Sequence, residues 1–192
     1  MLMRLGILGG TFNPIHQGHL VLAETAREQC GLEQVWFVPT ASPPHKTARA
    51  LVDGRHRLAM VRLAVRGHRA FRARGLEVKR GGVSYTIDTI KLIQARDPRV
   101  RLFLIVGSDM LAVTWYQMQE LQRRCTFVAA DRPSSASPRV LGLRVQRLAM
   151  PQMSLSSSMI RARVRAGRSI RYLVPQAVAD YIARHRLYRR RR

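Results

Sequence analysis

Lysine is almost missing from this chain. Of its 192 residues 34 are basic, yet only Lys46, Lys79 and Lys91 are lysine, and acidic residues number just 11. The formal charge is therefore +23. A GC-rich genome readily produces so lopsided an arginine share; what remains implies affinity for anions such as nucleotides, RNA or acidic surfaces. Cysteine is scarce too. Cys30 and Cys125 have no paired spacing, so they offer neither a disulfide framework nor a zinc site, and they fit a reducing cytoplasm. The few carboxylates form no cluster that would cage a metal. No apolar run approaches the ~20 residues needed to span a bilayer, so no membrane partner is expected. Met1-Leu-Met-Arg-Leu-Gly leads straight into the first strand-like run and leaves no room for a signal peptide, which makes a cytoplasmic location the expectation. A Walker loop, a Gly-x-Gly-x-x-Gly fingerprint and a recognisable nucleic-acid motif are all absent.

What is present reads as one globular domain, 46% hydrophobic, without internal repeats or a long linker. Strand-like and helix-like segments alternate. Strands are expected at 3–8, 35–38, 71–79 (broken near Gly75), 100–106, 126–130 and 143–149. Helices are expected at 18–30, 54–65 behind an Asp53 cap, 84–95, 109–121, 156–166 before Gly167, and from Pro175 to about His185. Residues 40–52 and 132–139 read as loops. Such alternation predicts an α/β fold with a doubly wound parallel sheet, whose ligands bind beyond the carboxyl ends of the strands. Segments Gly9 to His19 and Gly107-Ser108-Asp109 would then open onto one crevice.

The first of these carries the most chemistry. Residues 9 to 19 read Gly-Gly-Thr-Phe-Asn-Pro-Ile-His-Gln-Gly-His. Gly9 and Gly10 let backbone approach a ligand that a side chain would block. The following helix turns its unpaired N–H groups and positive dipole end back toward the loop, a ready anion site. His16 and His19 add imidazole donors there. Metal ligation by the two histidines and a plain structural role in a tight turn are the alternatives. A zinc site would need further ligands, and Cys30 lies about three turns away. Farther on, the serines of Leu155-Ser-Ser-Ser-Met-Ile-Arg161 open a helix, where hydroxyls and amides can bind phosphate and Arg161 can donate two parallel hydrogen bonds; ordinary capping is the alternative. Asp109 can accept from ribose hydroxyls or cap a helix. Trp115 offers a flat stacking face or simple core packing.

The stretch around the histidines resembles the signature of the nucleotidyltransferase superfamily. Its longer form resembles the nicotinate-nucleotide adenylyltransferase family, as do Pro43-Pro-His-Lys46, Tyr85-Thr-Ile-Asp-Thr89, Val106-Gly-Ser-Asp-Met-Leu111, Trp115-Tyr116, Ser156 to Arg161 and Tyr172-Leu-Val-Pro175. The resemblance covers nearly the whole chain. It implies a Rossmann-like nucleotidyltransferase fold in a single domain over 1–192, with 151–188 as a small C-terminal helical part and 189–192 as a basic tail. It implies His16, His19, Lys46 and Arg161 as the catalytic set. ATP would be bound by Gly9, Gly10, Thr11, Phe12, Gly18, Gly107, Asp109, Ser156, Ser157 and Ser158. The nicotinate substrate would meet His45, Thr86, Trp115 and Tyr116. The chain departs from the family at Asn13, where aspartate is usual, and more mildly at Ser108, Ser158 and Ser134-Ser135.

The implied reaction is adenylyl transfer from ATP to nicotinate mononucleotide, with Mg²⁺ bound mostly to ATP and water and no protein-held metal. A neighbouring alternative keeps the chemistry and changes the acceptor to nicotinamide mononucleotide, pantetheine phosphate or another phosphorylated small molecule. A basic nucleic-acid-binding module with a non-functional site is the alternative of a different class; no specific nucleic-acid partner is expected. A homo-oligomer is compatible with the sequence.

Overall fold

The computed structural model describes residues 2–42, 51–107, 110–111, 113–130, 144–151 and 153–189. Its six strands are β1 (Arg4–Gly10), β2 (Gln34–Pro39), β3 (Phe71–Ala73), β4 (Arg101–Gly107), β5 (Cys125–Ala130) and β6 (Val145–Leu148). All pair in parallel, in the order β3-β2-β1-β4-β5-β6. The helices are α1 (Gln17–Gln29), α2 (Gly54–Ala64), α3 (Leu76–Arg80), α4 (Thr86–Arg96), α5 (Met118–Arg124), α6 (Ser157–Arg165) and α7 (Gln176–Arg184).

Period-two alternation places the core on both faces of the sheet. Along β4, Phe103 and Ile105 face a layer built with α1, α2, α6 and α7, whereas Leu102, Leu104 and Val106 face a second layer with α4 and α5. β1 divides likewise, Leu8 to the first layer and Leu5 and Ile7 to the second. Each helix supplies the matching stripe: Leu22, Ala23 and Ala26 in α1, Leu58, Met60 and Val61 in α2, Ile87, Ile90 and Ile93 in α4. The Asp53 side chain caps α2 by accepting from the Arg55 N–H, and Ser156 caps α6 through the Met159 N–H. The chain winds outward from β1 to β3, then returns to lay β4 against the other side of β1. Strand order therefore reverses between β1 and β4, and a crevice opens beyond Gly10 and Gly107.

Two expected elements are corrected. The third strand stops at Ala73, and residues 76–80 form the short helix α3 instead of continuing it. Gly75 is its N-cap and lies against Leu58, where a Cβ would stand 2.7 Å from Cδ2; close approach to α2 bends the chain out of the sheet there. The helix expected over 109–121 is regular only from Met118 to Arg124, because Gln117 takes a left-handed conformation (φ 54°). An i,i+4 pair between Glu120 and Arg124 carries that helix on to Arg124. The expected loop over 132–139 lies outside the described residues.

Gly6, at the centre of β1, is set by packing. A Cβ there would meet Leu32 Cδ1 at 2.7 Å and Ile105 Cδ1 at 2.9 Å. Gly6→Ala should lower unfolding free energy by about 1–3 kcal/mol through overpacking. The readout is the urea midpoint at constant m-value, and an unshifted midpoint would refute this account of the β1 core.

Candidate active site

The loop that leaves β1 is held from beneath. Phe12 is buried, and it takes the left-handed region (φ 44°) rare for such a bulky residue. Its ring closes over Gly10, where a Cβ would meet it at 3.3 Å, and it packs edge-on to His19 at 5.1 Å. Gly9 is different: among the described residues a Cβ there would meet nothing within 4 Å. No described neighbour demands glycine at position 9, which leaves its backbone approachable by a ligand from that side.

His16 caps α1 from an extended backbone and is only 4% exposed. Its ring lies on that of His19, centroids 3.8 Å apart, and against Gly18, where a Cβ would stand 3.2 Å from it. The His16 backbone N–H donates to His19 Nδ1 at 3.2 Å. An accepting Nδ1 puts the proton of a neutral imidazole on Nε2, so His19 presents an N–H donor from that atom. The first amide of α1, at Gln17, is taken by the Leu173 carbonyl at 3.0 Å.

The start of α6 is fastened to the same loop. Ser157 Oγ donates to the Pro14 carbonyl at 2.8 Å, and Arg161 Nη1 donates to the Asn13 carbonyl at 2.9 Å. Arg161 Nη2 reaches Ser158 Oγ at 3.2 Å. Burial pulls the Arg161 pKa below its ordinary value, Tyr188 opposing the shift and Arg165 adding to it. Each of the three serines thus has a protein partner, Ser156 as the cap of its own helix.

Asn13 is the buried junction. Its Oδ1 accepts from the Val52 N–H at 3.3 Å and from the Tyr188 hydroxyl at 3.0 Å. Burial pushes the Tyr188 phenol well above its ordinary pKa, against the pull of Arg161 and Arg57, so it stays protonated and donates.

The second half of the crevice surrounds the start of α4. Ser84 Oγ accepts from the Ala41 N–H at 2.9 Å and is hydrogen-bonded to Glu77, whose Oε1 also accepts from Thr89 Oγ1 at 2.7 Å. Burial raises the Glu77 pKa, opposed by these hydrogen bonds. Thr86 is the first residue of α4, and its N-cap Tyr85 makes no side-chain cap. The Tyr85 ring meets that of Tyr116 at 4.6 Å, and Tyr116 is 55% exposed. Trp115 is half-buried: its indole N–H donates to the Met110 carbonyl at 2.9 Å and its ring meets Phe127 edge-on at 5.9 Å.

The structure thus brings Gly9, Gly10, Thr11, Phe12, His16, Gly18, His19, Ser156, Ser157, Ser158 and Arg161 into one cluster around the β1 loop. Gly107 ends the neighbouring strand β4. Tyr116 meets the ring of Tyr85, the chain neighbour of Thr86, and Trp115 packs against Phe127. His45, Lys46 and Asp109 lie outside the described residues. Three contributors are missing from the sequence reading: Arg57, Glu77 and Tyr188. A signal existed for Arg57, which shares an i, i+3, i+4 stripe with Met60 and Val61 and so stands in a core position of its helix. Among the described residues no group of three or more His, Cys, Asp or Glu side chains could hold a metal ion. The donors that line the loop suit an anion and form no metal cage.

Comparison with known proteins shows which proteins the chain is similar to. Residues 7–163 match the cytidylyltransferase-like family model. A probable nicotinate-nucleotide adenylyltransferase of Salinibacter ruber is 47% identical over 193 residues, covering 97% of this chain and 98% of that protein. Its counterpart in Bacillus pumilus is 38% identical, covering 96% and 98%. Among solved structures, the nicotinic acid mononucleotide adenylyltransferase of Plasmodium falciparum complexed with NaAD superposes with a TM-score of 0.80 at 19% identity, covering 97% of each chain.

The Asn13 junction is open to a direct test. Tyr188→Phe removes one donor from a buried acceptor and should cost about 1 kcal/mol of stability. Thermal and urea unfolding measure it, and wild-type stability in the phenylalanine variant would show that the hydroxyl does not hold the loop.

Proposed function

The chain belongs to the nicotinate-nucleotide adenylyltransferase family, and from that membership we propose that it transfers the adenylyl group of ATP to nicotinate mononucleotide, giving nicotinate adenine dinucleotide and pyrophosphate on the route to NAD. The supporting observation is the convergence of the N-termini of α1 and α6, with Arg161, on the loop that follows β1. Backbone donors, imidazoles and a guanidinium meet there at the point where strand order reverses.

A phosphate oxygen of the acceptor attacks the α-phosphorus in line. The bond from that phosphorus to the bridging oxygen breaks, and pyrophosphate leaves with the electron pair. No protein nucleophile is involved, so the chain contributes position and charge stabilisation. His19 Nε2–H, His16, Lys46 and Arg161 serve the non-bridging and leaving oxygens. Gly9 and Gly10 admit the nucleotide against backbone, and Thr11, Phe12, Gly18, Gly107, Asp109 and the three serines complete that side. Thr86 at the start of α4 receives the nicotinate carboxylate, with Trp115, Tyr116 and His45 around the ring. Mg²⁺ arrives as part of the substrate MgATP. No helix among these residues is long and apolar enough to cross a membrane. A cytoplasmic enzyme using cytoplasmic ATP fits that reading.

A pyrophosphate-release assay with ATP and a panel of acceptors tests the proposal. Nicotinate mononucleotide should exceed its amide analogue in kcat/KM by about 100-fold or somewhat more. A helix N-terminus contributes ~0.3–2 kcal/mol toward an anion and hydrogen bonds to a charged acceptor roughly 1.5–3. Equal values, or a preference for the amide, would reject the role of Thr86. The approachable backbone of Gly9 gives a second test. Gly9→Ala should leave the melting temperature unchanged and weaken ATP binding at least about tenfold, measured by calorimetry. Unweakened binding would place the nucleotide elsewhere.

A further inference from the structure

Arg57 is the largest fully buried side chain among the described residues, 1% exposed, and it makes no hydrogen bond to a carboxylate among them. Its guanidinium donates instead to three backbone carbonyls: Nε to Val52 at 2.8 Å, Nη1 to Thr11 at 2.9 Å and Nη2 to Ala41 at 3.0 Å. These carbonyls belong to three separate stretches at the carboxyl edge of the sheet. Thr11 begins the loop that leads to His16 and His19. Ala41 follows β2, and Val52 precedes α2. In the sequence, Ala41 and Val52 flank the segment that carries His45 and Lys46. Ala41 is held from its other side as well, since its N–H donates to Ser84 Oγ, two residues before Thr86. Gly54 packs beside the guanidinium, where a Cβ would stand 3.2 Å from Val78 Cγ1 and 3.3 Å from Nη2.

Burial lowers the Arg57 pKa, with Tyr188, Asp53 and Glu77 opposing the shift. Burying a cation is costly even so, and an apolar side chain would serve stability alone at least as well. A planar fork with five donors can register three carbonyls at fixed angles, which an apolar side chain or an ammonium cannot do. Resting on the adenylyl-transfer reading, we propose that Arg57 is a positioning residue of the reaction: it fixes the β1 loop and the two flanks of the Lys46 segment relative to one another and, through Ala41 and Ser84, relative to the start of α4. Arg57 touches no substrate. It acts through the groups that do, and in-line transfer makes the rate sensitive to small displacements of those groups.

The test measures kcat and KM for both substrates on folded protein, well below each variant's melting temperature. Arg57→Lys should lower kcat about 10–100-fold while changing either KM by less than about threefold. In a Lys46→Ala background the same substitution should cost at least about threefold less than in the wild type, because one of the groups it positions is already gone. Gly54→Ala, which keeps the arginine and crowds Nη2, should lower kcat in the same direction and covers the case in which Arg57→Lys does not fold. A wild-type kcat in the folded variants overturns the proposal. So does an equal fold-loss in both backgrounds, which marks a purely structural role. An inactive wild type would instead defeat the adenylyl-transfer reading, and the wild-type control shows which of the two has failed.

Discussion

Asn13 receives donors from three distant parts of the chain: the Val52 N–H before α2, the Arg161 guanidinium in α6 and the Tyr188 hydroxyl beyond α7. Among the described residues, the segment before α2, helix α6 and the chain beyond α7 are each hydrogen-bonded to this loop. Helix α6 keeps its place through Ser157 and Arg161, and α1 begins at His16, three residues on. A buried amide oxygen must find partners, and here the partners are the fold's own scattered segments. Asn13 is a neutral acceptor, and the buried guanidinium of Arg57 and the half-buried one of Arg161 hydrogen-bond to carbonyls and a hydroxyl.

The sheet was legible because its pattern is local. Val100 to Val106 could only be a fully buried strand, and alternation of such runs with Asp53-capped or Ser156-capped helices implied parallel winding. Strand 71–79 was misread because Phe71 to Lys79 alternates plausibly, whereas the contact that ends it, Gly75 against Leu58, is tertiary. The helix at 109–121 failed for a similar reason: the turn at Gln117 has no glycine to announce it.

The site divided along the same line. Glycines, histidines and serines at helix starts are chemistry written in contiguous residues, and the structure gathers them around one loop. The roles of Arg57, Glu77 and Tyr188 depend on what lies across from them. Glu77 sits in a segment read as strand, and its partners Ser84 and Thr89 become visible only once α3 and α4 are folded side by side. Tyr188 stands between arginines that invite a reading as solvated tail, yet its hydroxyl is one of the two donors found for Asn13 Oδ1.

The bond from Tyr188 to Asn13 spans 175 residues, and those from Arg161 and Ser157 to the same loop span 148 and 143. Contacts so remote in sequence form late, after the loop-closure entropy between them has been overcome. During synthesis the first strand and its glycine pair emerge early, but the loop after β1 acquires these bonds only when α6 and the residues beyond α7 leave the ribosome. The nascent chain therefore passes through most of its growth with a parallel sheet under construction and this loop unfastened.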